Sequence, residues 1–293
     1  MVGIDQQVVK TRETISYDSL IDDVGGLASP PDVCVRLFEL IHSPKSSAAQ
    51  IADIVSLDPS LTVKLLRVAN SAYYQLRAKV DTVTRAIAVI GNSELYNLVL
   101  SISAVKSFSN IPNELVSMDT FWRHSVYTGL LSRSIAKRVN VLHPERLFVA
   151  GLLHDIGSLV LYHYHPQTMR ELLLLANEDE ELMYHAEQDT LGFNHASLAG
   201  GLLAEWQLPD TLQQTVAWHH EPMFASLAYT EACILKTASQ MANETEDGHF
   251  LGTGSTVDLE DAMPVCEGLQ DVDIELIREE VAEQFESTLQ SLL

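Results

Sequence analysis

Histidine recurs at four places in this chain, once beside an aspartate and each time inside an apolar run: His124 in "FWRHSVYTG", His154-Asp155 in "GLLHDIGSLVL", His195 in "FNHASLAGG" and His219-His220 in "VAWHHEP". A polar group enclosed by apolar neighbours has to be hydrogen-bonded, paired or metal-bound. Helices that carry such groups are therefore driven to bring them together, as happens in the core of a helix bundle. Imidazoles with a carboxylate suit iron, manganese, zinc or nickel, so one divalent transition metal is the cofactor the pattern allows. Successive residues on a helix point about 100° apart. His154 and Asp155 can thus share one ion only from a helix end or a bend, with Gly157 as the residue that would allow it, unless Asp155 bridges two ions. By the same geometry one of His219 and His220 faces the site and the other need not. If a single ion binds, His195 and His219 are satisfied core residues instead.

The rest of the chain reads as helix after helix. "SSAAQIADIVSLD" carries Ser47 and Gln50 at capping-box spacing. In "DPSLTVKLLRVANSAYY", Asp58 is the expected N-cap and Pro59 the first helical residue, with Asn70 and Ser71 forming a cap and turn at its end. Pro31 suits the first turn of the preceding helix. "TVTRAIAVIG" stops at Gly91, and Ser93 is expected to cap the segment that follows. "SNIPNELVSMD" reads as a connector. "PERLFVAGLLHDIGSLVLYHY" reads as one helix started by Pro144, followed by "TMRELLLLAN", "NHASLAGGLLAEW", "PDTLQQTVAWHH" and "FASLAYTEACILKTASQMAN". No strand-like alternation separates them, so the fold expected is all-α. Trp122, Trp206 and Trp218 read as core aromatics, and His163 and His165 as surface residues at a helix end.

Composition narrows the partners. The net charge is −22, which repels phosphate backbones and argues against direct nucleic-acid binding. From Glu246 onward 13 acidic residues face Arg278 alone, so this tail holds −12 of that charge. "EDGHFLGTGSTVDLEDAMP" reads as a loop or linker. Beyond it Ile274, Ile277, Val281, Phe285 and Leu289 share one face, so an acidic amphipathic helix is expected to dock on the body or on a partner. No apolar run approaching the roughly 18 residues of a membrane span is evident, nor an apolar leader, and Cys34, Cys233 and Cys266 form no CxxC pair. A cytoplasmic location without membrane contact is the expectation.

The order H…HD…H…HH resembles the HD superfamily of metal-dependent phosphohydrolases. The N-terminal half sharpens the likeness. "SPPDVCVRLFELIHSPKSSAAQIADIVSLDPSLTVKLLRVANSAYY" and "VTRAIAVIGNSELYNLVLSISAV" resemble the HDOD domain, an HD-related signalling output domain, over about residues 20 to 245. The resemblance implies an HD-like helical bundle preceded by a packed N-terminal helical subdomain. Its parts would be an extension at 1–19, the N-terminal helical part at 20–115, the HD-like part at 116–245 and the acidic linker with its terminal helix at 246–293.

Carried over residue by residue, the resemblance makes His124, His154 and Asp155 metal ligands, with His195 and His219 or His220 available for a second ion. Two positions depart from the catalytic pattern. Ser239, in "ASQMA", stands where an aspartate ligand is expected, and Ser158 stands where a lysine usually follows the HD pair. A cation there would neutralise a transferring phosphoryl group. "HHEPMFAS" also lacks the GYP sequence of the cyclic-dinucleotide hydrolases. The expectation is a signal-transduction module that acts through protein–protein interaction and retains a degenerate metal site, its partners being signalling proteins or a second copy of the chain. The rival expectation is a metal-dependent phosphohydrolase with an unusual ligand shell.

Overall fold

The computed structural model describes residues 16–27, 32–41, 43, 46–76, 78–109, 111–112, 114–177, 179–245 and 272–293. Among them every regular element is a helix. The N-terminal layer comprises α1 (Tyr17–Leu27), α2 (Asp32–Ile41), α3 (Ala48–Ser56), α4 (Pro59–Ala69), α5 (Val83–Ile90) and α6 (Asn92–Phe108). The second layer comprises α7 (Met118–Arg138), α8 (Glu145–Leu153), α9 (Ile156–Tyr164), α10 (Pro166–Ala176), α11 (Glu180–Leu191), α12 (His195–Glu205), α13 (Asp210–Ala217) and α14 (Tyr229–Asn243). The chain closes with α15 (Ile274–Leu292).

The local signals act largely as the sequence implies. Ser47 and Gln50 form the reciprocal capping box of α3, and the Asp58 carboxylate accepts from the Ser60 and Leu61 amides at the start of α4. Asn70 ends α4 by bridging to the Leu66 and Val80 carbonyls and to the Val80 amide, which ties the turn together. Gly91 ends α5 at φ +86°, but it also opens α6 directly, so Ser93 lies inside that helix and caps nothing. Pro31 and the linker at 246–271, Cys266 included, lie outside the described residues.

Two local expectations need correction. The stretch from Glu145 to Tyr164 is two helices, broken at His154-Asp155. That stretch does reach the length and mean hydropathy of a membrane span, but 89% of it is buried within the helical body, so core packing accounts for its apolar character. An additional helix, α11, occupies the acidic segment after "TMRELLLLAN". Its boundaries are set by Asp179, whose carboxylate accepts from the Leu182 amide, and by Gly192 in the left-handed conformation.

The central strut is α7, which packs on α8, α14 and α15. It meets α8 where Gly129 and Gly151 cross. A Cβ on Gly151 would lie 2.5 Å from the Gly129 Cα, so only glycine permits this approach. The terminal helix α15 docks on α7, α4 and α6, as its apolar stripe requires. Ile277, Val281, Phe285, Leu289 and Leu292 are buried there. At about 1.5–3 kcal/mol per fully buried side chain, this face contributes on the order of 10 kcal/mol before chain entropy is counted. The polar edges add Arg138–Glu280 at 2.9 Å and Arg123–Glu286 at 2.9 Å. Trp122 and Trp206 are core residues, while Trp218 is half-buried against Ala225, Ala228 and Ala232.

Candidate metal centre

The six residues of the histidine pattern meet in one buried cluster. His124 comes from the first third of α7, and its Nε2 lies 3.3 Å from His154 Nε2 and 3.8 Å from Asp155 Oδ2. The glycine crossing of α7 and α8 brings these two helices close enough for that contact. His154 and Asp155 sit in the break between α8 and α9, which resolves the geometric problem of adjacent ligands: the pair occupies a bent turn. His154 Nε2 is 3.2 Å from Asp155 Oδ2, and Asp155 Oδ1 points the other way, 3.6 Å from His195 Nε2. Gly157 contributes differently from the bend expected of it. A Cβ there would stand 2.1 Å from the His195 carbonyl oxygen, so its hydrogen lets α9 lie against the start of α12.

His219 and His220 both reach the site, because α13 ends at Ala217 and the pair lies beyond it in irregular backbone. The helical rule that would turn one of them away does not apply there. His220 Nε2 is 3.1 Å from His195 Nε2, and the imidazole stacks on Tyr184 with centroids 4.4 Å apart. The ligand atoms of His124, His154 and Asp155 lie within 4.8 Å of one another, as do those of His195, His219 and His220.

Hydrogen bonding at the outer nitrogens orients four of these rings. His154 Nδ1 donates to the Gly151 carbonyl at 2.7 Å and His219 Nδ1 to the Val216 carbonyl at 2.8 Å. His195 Nδ1 donates to Glu187 Oε2 at 2.7 Å, the same oxygen that accepts from the His195 backbone amide. His220 Nδ1 faces Glu181 Oε2 at 3.3 Å. Carbonyl and carboxylate oxygens only accept, so each Nδ1 carries a proton and each Nε2 is turned inward, where it can present a lone pair to a cation. Lone pairs 3.1 Å apart repel unless a proton or a metal cation lies between them. Among the described residues, His219 Nε2 and Asp155 Oδ1 are buried with no hydrogen-bond partner. A buried cluster of inward acceptors, with outer groups fixing each tautomer, has the donor chemistry of a transition-metal site.

The electrostatics express the same need for positive charge. Burial would raise the Asp155 carboxyl, but His154, His195 and His124 around it hold it well below the usual range. Burial alone would lower His195, yet Glu187 and Asp155 bring it up to about 9. His154 is likewise raised by Asp155 against the effect of burial. Burial and the neighbouring imidazoles push His219 and His220 well below the ordinary histidine value, so they stay neutral and ligand-ready.

The two departing positions are also placed. Ser239, on α14, has its Oγ 3.5 Å from His124 Nε2 and donates to Glu180 Oε1 at 3.2 Å. Ser158 is buried in the first turn of α9, its amide donating to the Asp155 carbonyl. His163 lies away from the cluster, its Nδ1 donating to the Pro112 carbonyl, and His165 stands half-buried at the end of α9. Sequence reasoning missed Glu180, Glu181 and Glu187, all carried by α11. Glu180, Tyr184 and Glu187 follow one helical face at i, i+4 and i+7, and that stripe behind the Asp179 cap is the signal that would have found them.

Comparisons place this architecture among known folds. A candidate phosphohydrolase from Shewanella amazonensis SB2B superposes with a TM-score of 0.72 at 24% identity, over 94% of this chain and 98% of that one. An HDOD domain protein of unknown function from Geobacter sulfurreducens gives 0.72 at 20% identity, over 94% and 96%. A candidate signal transduction protein from Marinobacter aquaeolei VT8 gives 0.67 at 20% identity, over 94% and 63%. Among curated proteins, an uncharacterized protein of Treponema pallidum (strain Nichols) is 22% identical over 237 residues, and the match spans 77% of this chain and 45% of that relative's length. These likenesses establish a shared helical fold. The HDOD domain pattern itself matches residues 27–222, two-thirds of the chain, and with the packed helical layers in front of the H…HD…H…HH cluster it shows that the chain belongs to the HDOD family.

Proposed function

We propose that this chain is a metal-binding HDOD signalling module, which holds divalent transition metal in its His/Asp cluster and acts through contacts with partner proteins. The observation that carries the metal reading is the convergence of the Nε2 atoms of His154, His195 and His124 on the one buried carboxylate of Asp155, at 3.2, 3.6 and 3.8 Å. His124, His154 and Asp155 Oδ2 form one donor set, and His195, His219 and His220 with Asp155 Oδ1 form the other, so Asp155 serves both. Glu187 orients His195, and the Gly151 and Val216 carbonyls orient His154 and His219. Divalent metal in such a shell supplies Lewis acidity and lowers the pKa of water.

Support for a regulatory role comes from the charges around the cluster. Phosphoryl transfer needs cations near the developing charge. The position after the HD pair is the neutral Ser158, and Lys236 is engaged, donating to the His220 carbonyl at 2.6 Å and paired with Glu181 at 3.5 Å. Glu181 presents negative charge beside the cluster, which opposes a phosphate anion. The segment directly after His219-His220 exposes Met223, Phe224, Leu227 and Tyr229. An apolar surface joined to the cluster through Glu221 and Pro222 is a suitable contact for a signalling partner.

The completeness of the six-residue cluster favours a second reading, a metal-dependent phosphohydrolase. One experiment separates the two. Purified protein is assayed for metal content and for hydrolysis of nucleotides and cyclic dinucleotides with added Mn²⁺ or Fe²⁺. The module reading expects bound metal and no turnover. Hydrolysis that His154→Ala abolishes would overturn it in favour of the enzyme.

A further inference from the structure

We infer that Glu180 is a metal ligand of this cluster, the carboxylate that α11 supplies where α14 carries only Ser239; the inference rests on the metal-binding reading above. Three observations point to it. The ligand atoms of His154, His219 and Glu180 lie within 4.8 Å of one another, so the carboxylate reaches the same space as the two imidazoles. His219 Nε2, on a side chain only 1% exposed, points into that space without a hydrogen-bond partner among the described residues. The Glu180 carboxylate is itself held in place: Ser239 Oγ donates to its Oε1 at 3.2 Å, and Asn243 Nδ2 donates to its Oε2.

The arrangement makes chemical sense of the serine. A carboxylate at 239 would confront the Glu180 carboxylate across that short contact, and two like charges there would repel. A hydroxyl instead orients the glutamate, as outer groups orient ligands in metal sites generally. The second anion also balances charge. Asp155 and Glu180 together match the charge of one divalent ion among neutral imidazoles, whereas neither carboxylate has an arginine or lysine partner at salt-bridge distance among the described residues. Glu180 is the less enclosed of the two anions, with 19% of its side chain exposed against 6% for Asp155, so it stands on the solvent side of the cluster. The ligand class is a divalent transition metal, held by imidazole and carboxylate together.

The test uses the full chain stripped with chelator, dialysed and titrated with Mn²⁺ or Zn²⁺. Metal content is read by elemental analysis and affinity by calorimetry, and the melting temperature of the stripped protein reports folding. Glu180→Gln keeps the hydrogen-bonding shape and removes the charge; it should weaken binding about tenfold or more. Adding Ser239→Asp to that variant returns a carboxylate to the same place and should restore most of the affinity. Wild-type binding that Glu180→Gln leaves unchanged overturns the assignment of Glu180 while the metal reading stands. A loss that Ser239→Asp fails to restore marks Glu180 as a structural group and overturns the assignment too. A wild-type protein that binds no metal overturns the underlying metal reading, and this inference with it.

Discussion

Gly157→Ala is the sharpest probe of how the fold positions the cluster. The added Cβ would lie 2.1 Å from the His195 carbonyl oxygen and 2.9 Å from its carbonyl carbon. Ordinary contact begins near 3.4 Å, so α9 and α12 must separate by about 1 Å or more. The obstacle is backbone at the first turn of α12, so no side-chain rotation relieves it. Overpacking of this kind costs about 1–3 kcal/mol. Because the obstacle is backbone, this site takes the upper part of that range, about 2–3 kcal/mol; alanine's better helix preference offsets about 1 kcal/mol, leaving a net loss of about 1–2 kcal/mol. At roughly 2–4 °C per kcal/mol, the melting temperature falls by about 2–8 °C. The same separation widens the 3.6 Å gap between Asp155 Oδ1 and His195 Nε2, so metal affinity falls together with stability. Circular-dichroism melting of stripped and metal-loaded protein, with calorimetric titration, measures both. A variant that melts within about 1 °C of wild type and binds metal equally would refute the claim that this glycine sets the α9–α12 spacing.

Phe285→Ala removes a ring buried on α15, which meets Tyr127 edge-on at 5.0 Å and lies under Arg123 at 4.8 Å; the cost should be about 3–5 kcal/mol in urea denaturation, and a loss under 1 kcal/mol would mean that α15 is only loosely docked. Glu280 carries a pH dependence: burial would raise its carboxyl, but the Arg138 and Ser134 hydrogen bonds hold it below the usual value. A depressed folded-state pKa means that its stabilisation is present above the unfolded value of about 4.3 and is lost as pH falls through the folded value. Hydrogen exchange of α15 should therefore rise in that acid window, and Glu280→Gln should flatten the rise.

Much of the local structure is legible in single residues. Ser47 with Gln50, Asp58 with Pro59, and Gly91 each satisfy or terminate a helix end using groups within a few positions, so their reading needs no partner from elsewhere. The stripe of Ile277, Val281, Phe285 and Leu289 likewise announces a helix with one buried face, and that face is found on α7, α4 and α6. Ser93 shows the limit of this approach. Its capping pattern is sound, but Gly91 takes the N-cap position two residues earlier, so Ser93 lies in the first turn of α6 and no side chain caps that helix.

The cluster divides in the same manner. By itself the sequence determined that His124, His154, Asp155, His195, His219 and His220 are the polar groups an apolar helical body must pair, because desolvation leaves them no alternative. Tertiary structure alone decided how they meet. The chain breaks at His154-Asp155, and α13 stops at Ala217, so adjacent residues of the cluster escape the angular spacing of a helix. Gly129 with Gly151, and Gly157 with His195, fix the distances between helices, and a glycine's meaning there depends on which backbone lies opposite. Glu180 and Glu187 look like part of a solvated acidic run until α11 folds against the cluster. Whether a carboxylate is a surface charge or part of a buried cluster depends on what is packed against it, and that is a property of the assembled fold.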